Sequence, residues 1–335
     1  MFEDEPEDPL EGLRPAAMPY LASIAQCAED RGFHALLLGA GFGQRLEAFT
    51  TAAALLQHTN TIKALVAVRP GFYHPAVAAK LAATVDQHSA GRLLLNVVTG
   101  GVPSDLAKYG DTLAHDERYL RTDDFLEVLR KLFSSRTPVD HYGPYFRCEG
   151  ALLSYGLVGS LGGRIYFGGL SEPAREVAAR QADTYLMWGL PVNEVADVIK
   201  DMVRRADRHG RQLRFGVRIN LVSRPSDEEA WARVDEMVAG ADLDVMRAVR
   251  QETDSVGQQR MFALAEKGST RGATYWTGLA KFRVGSGTAL VGSYSVVAAE
   301  LQRYISVGVD TFILSGAPHL EECERVGEAV VPLLE

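Results

Sequence analysis

Three short stretches combine residue types that could hold and orient a charged ligand. The first is LLLNVVTGGVPSD, 93–105. An apolar run broken only by Asn96 stops at Thr99, Gly100 and Gly101, a hydroxyl followed by two residues without side chains. Glycine at a strand end lets a flat or phosphorylated ligand approach the backbone closely. The second is FGGLSEPAREVAA, 167–179. Ser171 can cap a helix whose first turn holds Glu172 and Pro173, and the free N–H groups of that turn form a phosphate-sized anion site. A plain N-cap would have the same sequence. The third is LAHDERYLRTDDFLEVL, 113–129. His115 and Tyr119 are four residues apart, so in a helix they share a face and could both donate to a phosphate or a ring carbonyl. Asp116, Glu117 and Arg118 would point elsewhere. A structural His–Tyr pair has the same spacing.

Elements that could position these residues follow from the hydrophobic pattern. Strand-like runs fall at 34–39, 62–68, 92–98, 164–168, 183–188, 213–222 and 309–314. Amphipathic helical patterns fall between them, at 16–31, 45–57, 74–87, 122–134, 172–182, 192–209 and 294–307, with a last helix at 319–334. Such alternation predicts a parallel sheet covered by helices. Strands apolar along their whole length fit burial on both faces. The expected architecture is a (β/α)8 TIM barrel in one domain, 16–335, with its first strand missing or replaced: seven strands are legible and a closed barrel needs about eight. Residues 1–15 form an acidic segment, open to disorder. Residues 1–12 carry six acidic residues and two prolines and do not read as a core strand. An insertion at 223–292, after the seventh barrel position, contains helical patterns at 228–240, 243–252 and 257–266. It ends in the glycine-rich run 267–292, which reads as a lid or binding loop.

In such a barrel chemistry gathers at the carboxyl ends of the strands. Those ends carry Gly39 to Gln44, then Arg69, Pro70 and Gly71, then Thr99 to Gly101, Gly168 to Ser171, and Trp188 with Gly189. Strand 213–222 carries Arg218 and Asn220, and the last strand leads to Ser315, Gly316, Ala317, Pro318 and His319. A dinucleotide fingerprint at 34–49 fails, because the third glycine would fall where Gln44 stands.

The composition narrows the class. With 335 residues, 47% hydrophobic and 23% charged, the chain is ordinary globular material. A net charge of −8 without basic runs disfavours nucleic acid. No apolar run is long enough for a bilayer. The acidic start is unlike a signal peptide, so the default location is cytoplasmic. Cys27, Cys148 and Cys323 are odd in number and widely spaced, and read as ordinary thiols rather than disulfides or a zinc site.

Taken together, the chain resembles the bacterial luciferase-like flavin monooxygenases, most of all the alkanesulfonate monooxygenase branch. The likeness runs from about Gly12 to Glu335 and is densest in VAVRP, NVVTGG, HDERY, YFGGLSEPAREVAA, WGLP, RFGVRINLV, DSVGQQRM, GSGTALVG and GVDTFILSGAPHLEE. The resemblance implies a barrel with a long late insertion, reduced FMN supplied by a separate NAD(P)H:flavin reductase, O2 as cosubstrate, and a homodimer or homotetramer. It implies that Arg69, Asn96, Thr99, Gly100 and Gly169 surround the flavin. His115 and Tyr119 would meet its ribityl phosphate, with the Leu170 N–H and Ser171 completing that cradle. It further implies oxygenation through a flavin C4a-(hydro)peroxide, with Arg218 and Arg283 able to fork onto a sulfonate, carboxylate or phosphonate. Trp188, Asn220 and His319 complete the implied substrate side. Departures fall there: the histidine of the first strand, a cysteine after the second, a histidine where Asn220 stands and a tyrosine where Ala317 stands are all absent. N- or C-hydroxylation without desulfonation, and a non-catalytic flavin binder, therefore stand as alternatives. A deazaflavin in place of FMN is not excluded by spacing.

Overall fold

The computed structural model describes residues 17–42, 46–239, 250–268, 270–281 and 285–334. Seven parallel strands among them form the body of the sheet: β1 (Ala35–Leu38), β2 (Lys63–Val68), β3 (Leu93–Val97), then, after a small hairpin of β4 (Val139–Tyr142) and β5 (Arg147–Ala151), β6 (Ile165–Gly168), β7 (Thr184–Trp188) and β8 (Arg214–Arg224), and finally β11 (Thr311–Ser315). Neighbours pair in the order β1-β2-β3-β6-β7-β8-β11, with registers such as Val66 opposite Leu95 and Ile219 opposite Leu314. All seven expected strands are present, displaced by at most two residues at their ends. Helices α1 (Met18–Asp30), α2 (Ala48–Leu55), α3 (Pro75–His88), α5 (His115–Ser134), α6 (Glu172–Gln181) and α7 (Val192–Arg208) follow the expected pattern, and a short α4 (Pro103–Ala107) follows β3.

Both strand faces are buried, for different reasons. Val66, Leu93, Leu95, Val97, Ile165 and Phe167 meet the helices in the main core. Leu65, Leu94 and Tyr166 point inward and pack with Leu37, Leu186 and Ile313 inside the cylinder. This two-sided burial is what the uninterrupted apolar strands demanded.

The insertion is more ordered than a loop. It contains α8 (Asp227–Ala239), α9 (Val256–Lys267), a two-residue β9 (Tyr275–Trp276) and β10 (Ala289–Ser293). Strand β10 lies parallel to the second half of β8, with Val291 opposite Val222, and β9 runs antiparallel to it. Trp231, Trp276, Leu279 and Val291 form a small core of their own. The glycine-rich run thus supplies a strand as well as loop; the helical pattern at 243–252 lies mostly outside the described residues. After β10 the chain closes with α10 (Tyr294–Ser306), β11 and α11 (His319–Ala329).

Among the described residues β1 pairs only with β2, and β11 only with β8. The described strands therefore leave a seam between β1 and β11, where the sequence shows no recognisable first strand. A groove of about 200 Å³ runs along it, lined by Leu36, Leu37, Phe312, Leu314, Ile24 and Val326. Helices α1 and α11 pack across its outer side. There the Cys27 and Cys323 thiols hydrogen-bond; burial pushes Cys27 up and Cys323 up to about 12, so both stay protonated. No described helix is long and apolar enough to cross a membrane.

Carboxylates hold the amino ends of the strands. Asp86 accepts from Leu93 N and Val158 N, Asp183 from Arg164 N and Ile165 N, and Asp310 from Phe215 N. Glu29, at the end of α1, accepts from Asn60 N (2.9 Å), Thr61 N (2.6 Å) and Ile62 N (2.8 Å) where the chain enters β2. Desolvation opposes this charge, but the three backbone donors outweigh it and hold the carboxyl at about 2 against an ordinary 4.5. A depressed folded pKa contributes stability above the unfolded value, which is lost as pH falls through the folded one. Replacing Glu29 by Gln should therefore cost about 1–2 kcal/mol at pH 7, a range set by hydrogen bonds to a charged acceptor and reduced for partial exposure. Urea titrations from pH 5 down to pH 2 should show the gap between mutant and parent closing; a gap independent of pH would contradict this role for the carboxylate.

Candidate active site

A cavity of about 280 Å³ opens at the carboxyl ends of the strands. Its wall runs from Tyr119, Gly169, Leu170 and Ser171 at one end, past Asn96, Thr99, Gly100 and Arg69, to Trp188, Arg218 and Gln258 at the other. The structure brings most of the expected residues into this one space.

The anion-binding end is built by α5 and α6. Ser171 is the N-cap of α6, with its Oγ accepting from Ala174 N at 3.4 Å, and Pro173 sits in the first turn. In this first turn Pro173 has no N–H, Ala174 N is taken by the cap and Arg175 N by the Ser171 carbonyl, so the Glu172 N–H is the one left for an anion. His115 begins α5 and Tyr119 stands one turn later, the rings 5.0 Å apart. Tyr119 is 8% exposed and hydrogen-bonds Ser171. Burial raises its phenol above the ordinary range, so it stays an O–H donor. His115 Nδ1 faces Asp116 Oδ1 at 2.6 Å, while the buried Nε2 has no partner in the fold. Gly169 has φ +147°, and a Cβ there would come within 2.7 Å of Ala174 and 3.3 Å of the Tyr119 hydroxyl. A side chain at that position would fill the cradle. Two hydroxyls and a helix N-terminus meet in one pocket, with the unpartnered His115 nitrogen on the ring beside Tyr119, and this set fits a phosphate group.

The middle of the cavity corrects one expectation. Gly100 has φ +92°, and a Cβ there would meet Leu106 of α4 at 2.7 Å; Gly101 is similarly covered by Ser255. These glycines admit other parts of the protein as much as a ligand. Thr99 lines the wall with its hydroxyl 3.2 Å from Thr122 Oγ1. Thr122 gives its proton to the Arg118 carbonyl, so the proton between the two hydroxyls comes from Thr99. Thr99 therefore presents lone pairs to the cavity and acts as an acceptor. Arg69 is held by Asp105 at 2.6 Å and lies over Phe72.

On the far side Trp188 ends β7 and Arg218 projects from β8 into the same space. Asn220 is placed differently. It is 5% exposed, and its amide donates to the carbonyls of Ser286 (2.7 Å) and Thr288 (2.9 Å), outside the lining of this cavity. It fastens the approach to β10 rather than facing a ligand. His319 opens α11, with Nδ1 2.7 Å from the Gly316 carbonyl, and lines the seam groove instead. Twist of the long β8 and the turn before α11 carry these two away. Arg283 lies outside the described residues. The groove and the cavity share Leu37, Arg218 and Ile313.

Sequence reasoning missed Arg118 and the 253–258 segment. Arg118 is 2% exposed rather than directed outward; it binds Asp254 at 2.6 Å and the Leu113 carbonyl. Thr253 Oγ1 and Asp254 N both donate to the Gly101 carbonyl, so this segment roofs the end of β3. The signal was present in DSVGQQRM: Ser255 is an N-cap, and Gln258 follows in the first turn of α9. No distance along the sequence links that motif to Gly101.

Residues 5–311 match the sequence model of a family described as luciferase-like monooxygenase. Solved structures resemble the fold. A riboflavin lyase bound to modified FMN and riboflavin has 22% identity and a TM-score of 0.77, covering 95% of this chain and 84% of its own. EDTA monooxygenase from Chelativorans sp. BNC1 has 20% identity and a TM-score of 0.78, covering 95% and 86%. An F420-dependent secondary alcohol dehydrogenase has 19% identity and a TM-score of 0.73, covering 95% and 95%. With the family model matched over residues 5–311 and a fold in agreement, the chain belongs to the luciferase-like monooxygenase family.

Proposed function

We propose that this flavin-dependent monooxygenase takes up FMN in its reduced form from a separate NAD(P)H:flavin reductase and uses O2 to oxygenate a small anionic organic molecule of the alkanesulfonate type. One observation carries the reading: a single cavity joins Tyr119 and Ser171, with the His115 ring beside Tyr119, to an arginine and a tryptophan at Arg218 and Trp188. The reduced flavin, when bound, supplies the electrons that activate O2.

The chain's own residues do the rest. Tyr119 and Ser171 hydroxyls and the Glu172 N–H at the start of α6 would hold the phosphate, with charge-assisted hydrogen bonds. His115 has its Nδ1 against the Asp116 carboxylate, and its Nε2 would be the ring atom left for the phosphate. Thr99 would accept from a ring N–H. Asn96 and Arg69, which line the cavity, would border the ring, and Trp188 would wall the substrate side. Arg218 stays cationic at any working pH and suits an oxyanion head group. The roof made by 253–258 would keep water from the end of β3, which matters because in open solvent reduced flavin passes its electrons to O2 and releases hydrogen peroxide.

A second reading, oxygenation of another substrate by N- or C-hydroxylation, is supported by Asn220, which spends its amide on backbone carbonyls where a histidine could move a proton.

Fluorescence titration with FMN should give saturable binding. Tyr119→Phe and Ser171→Ala should each weaken it about tenfold, the scale of one hydrogen bond to a charged acceptor, without a change in melting temperature. Unchanged affinity in both variants would remove the cradle from flavin binding. Purified protein given FMNH2 and octanesulfonate should release sulfite, and Arg218→Met should lower kcat/KM for it by about 100-fold or more. Turnover of another substrate without sulfite would favour the second reading.

A further inference from the structure

Gln258 is a cavity-lining residue whose geometry the flavin reading leaves unused. It stands in the first turn of α9, three residues after the N-cap Ser255, and is 2% exposed. A glutamine at this position commonly reaches back to the backbone N–H of the N-cap. Gln258 does not. Its Oε1 accepts from Gly285 N at 2.9 Å. A backbone N–H can only donate, so this bond fixes which end of the amide is oxygen. The NH2 group must then face the other way. That nitrogen is fully buried, without a partner in the fold, and belongs to a side chain lining the cavity that also holds Arg218 and Trp188. A buried amide NH2 without an acceptor costs more than an exposed one, and the cost is recovered when a ligand brings an acceptor. Neighbouring contacts hold the residue in place: Gly257 packs on the Trp188 ring, where even a Cβ would approach to 3.3 Å, and Ser255 Oγ caps Gln258 N at 3.2 Å.

We propose that Gln258 is a specificity-determining residue whose NH2 group, with Arg218, receives the oxyanion head group of the substrate. This rests on the flavin reading above. Arginine alone attracts any anion; a fixed neutral donor beside it adds direction, selecting a head group with an oxygen free at a second angle. Sulfonate, phosphonate and carboxylate all offer such an oxygen, with three, three and two positions. The Gly285 amide holds the donor in place before the substrate arrives, so little side-chain ordering remains for binding.

The test compares the parent protein with Gln258→Glu and Gln258→Met, each as its FMN complex. Gln258→Glu keeps an oxygen for Gly285 N but replaces the donor with a carboxylate. Measurements are FMN affinity by fluorescence, melting temperature, and the Kd of octanesulfonate, octanoate and octylphosphonate by calorimetry. Gln258→Glu should leave FMN affinity and melting temperature within twofold and about 2 °C, while weakening octanesulfonate by about 10- to 100-fold. Lowering the pH should restore part of that affinity, because a protonated glutamate regains an O–H donor while the sulfonate stays charged. Gln258→Met should show the same loss without the pH-dependent recovery. An octanesulfonate Kd within twofold of the parent in Gln258→Glu overturns the proposal, as does a loss confined to FMN affinity, which would place the NH2 on the flavin. A parent FMN complex that binds none of the three anions overturns the proposal and leaves flavin binding standing. Failure of the parent to bind FMN overturns both. The order of the three affinities in the parent names the head group.

Discussion

The hydrogen-bond ladder of β8 is the constraint from which the site follows. At eleven residues it is about twice the length of its neighbours, and it is paired along both edges. Its first half meets β7 on one side and β11 on the other, and its second half meets β10 where β7 has ended. The handover occurs at Arg218: its carbonyl accepts from Gly189 N, just past β7, and from Ser286 Oγ, just before β10. The backbone of the residue that reaches into the cavity is thus clamped by both partners. Asn220 completes the clamp from the side chain by holding Ser286 and Thr288. Segment 285–288 is positioned by this ladder, and through Gly285 so is Gln258. Catalytic geometry of this kind needs supports that do not yield. Here they are backbone bonds at the junction of three strands.

Buried charges act in the same way at the opposite end of the cavity. Arg121 and Asp111 form a paired bridge beneath the cradle, and Arg118 joins α5 to Asp254 in the roof. Removing one partner of such a pair would leave a buried charge unmatched, a larger loss than the bridge itself contributes. Their value lies in position: α5 carries His115 and Tyr119, and the roof carries the segment leading to Gln258, so the Arg118–Asp254 contact sets the distance between the phosphate end and the substrate end.

Much of this was readable in the chain, and what was not has identifiable causes. Strands apolar on both faces and helices with one apolar face identify themselves by period, so the barrel elements and their order were legible. The Ser171 cap and the His115–Tyr119 spacing were legible because they are local. Strand β10 was hidden because it is short and flanked by glycines that read as loop. The β4–β5 hairpin was hidden because its strands are four and five residues long with polar positions exposed. Asn220 and His319 were placed at the cavity by an argument that residues at strand ends face inward. That argument ignores the twist of β8, where Asn220 has passed beyond the end of β7 and turns to a different neighbour. Arg118 was sent outward by the local arithmetic of its helix, which cannot see Asp254 arriving from 136 residues away.

The seam between β1 and β11 connects these observations. A cylinder of parallel strands satisfies every backbone group only when it closes, and among the described residues β1 pairs with β2 and β11 with β8. The interior beside that seam is apolar, with Leu37 and Ile313 shared between the seam groove and the active cavity. Arg218 lies at the same junction. Its electrostatic reach is greatest where water is scarce, and water at the seam would weaken it. The strength of the anion site and the closure of the barrel are therefore one physical question. The β8 ladder fixes where the arginine stands, while whatever covers the edges of β1 and β11 sets how strongly its charge is felt.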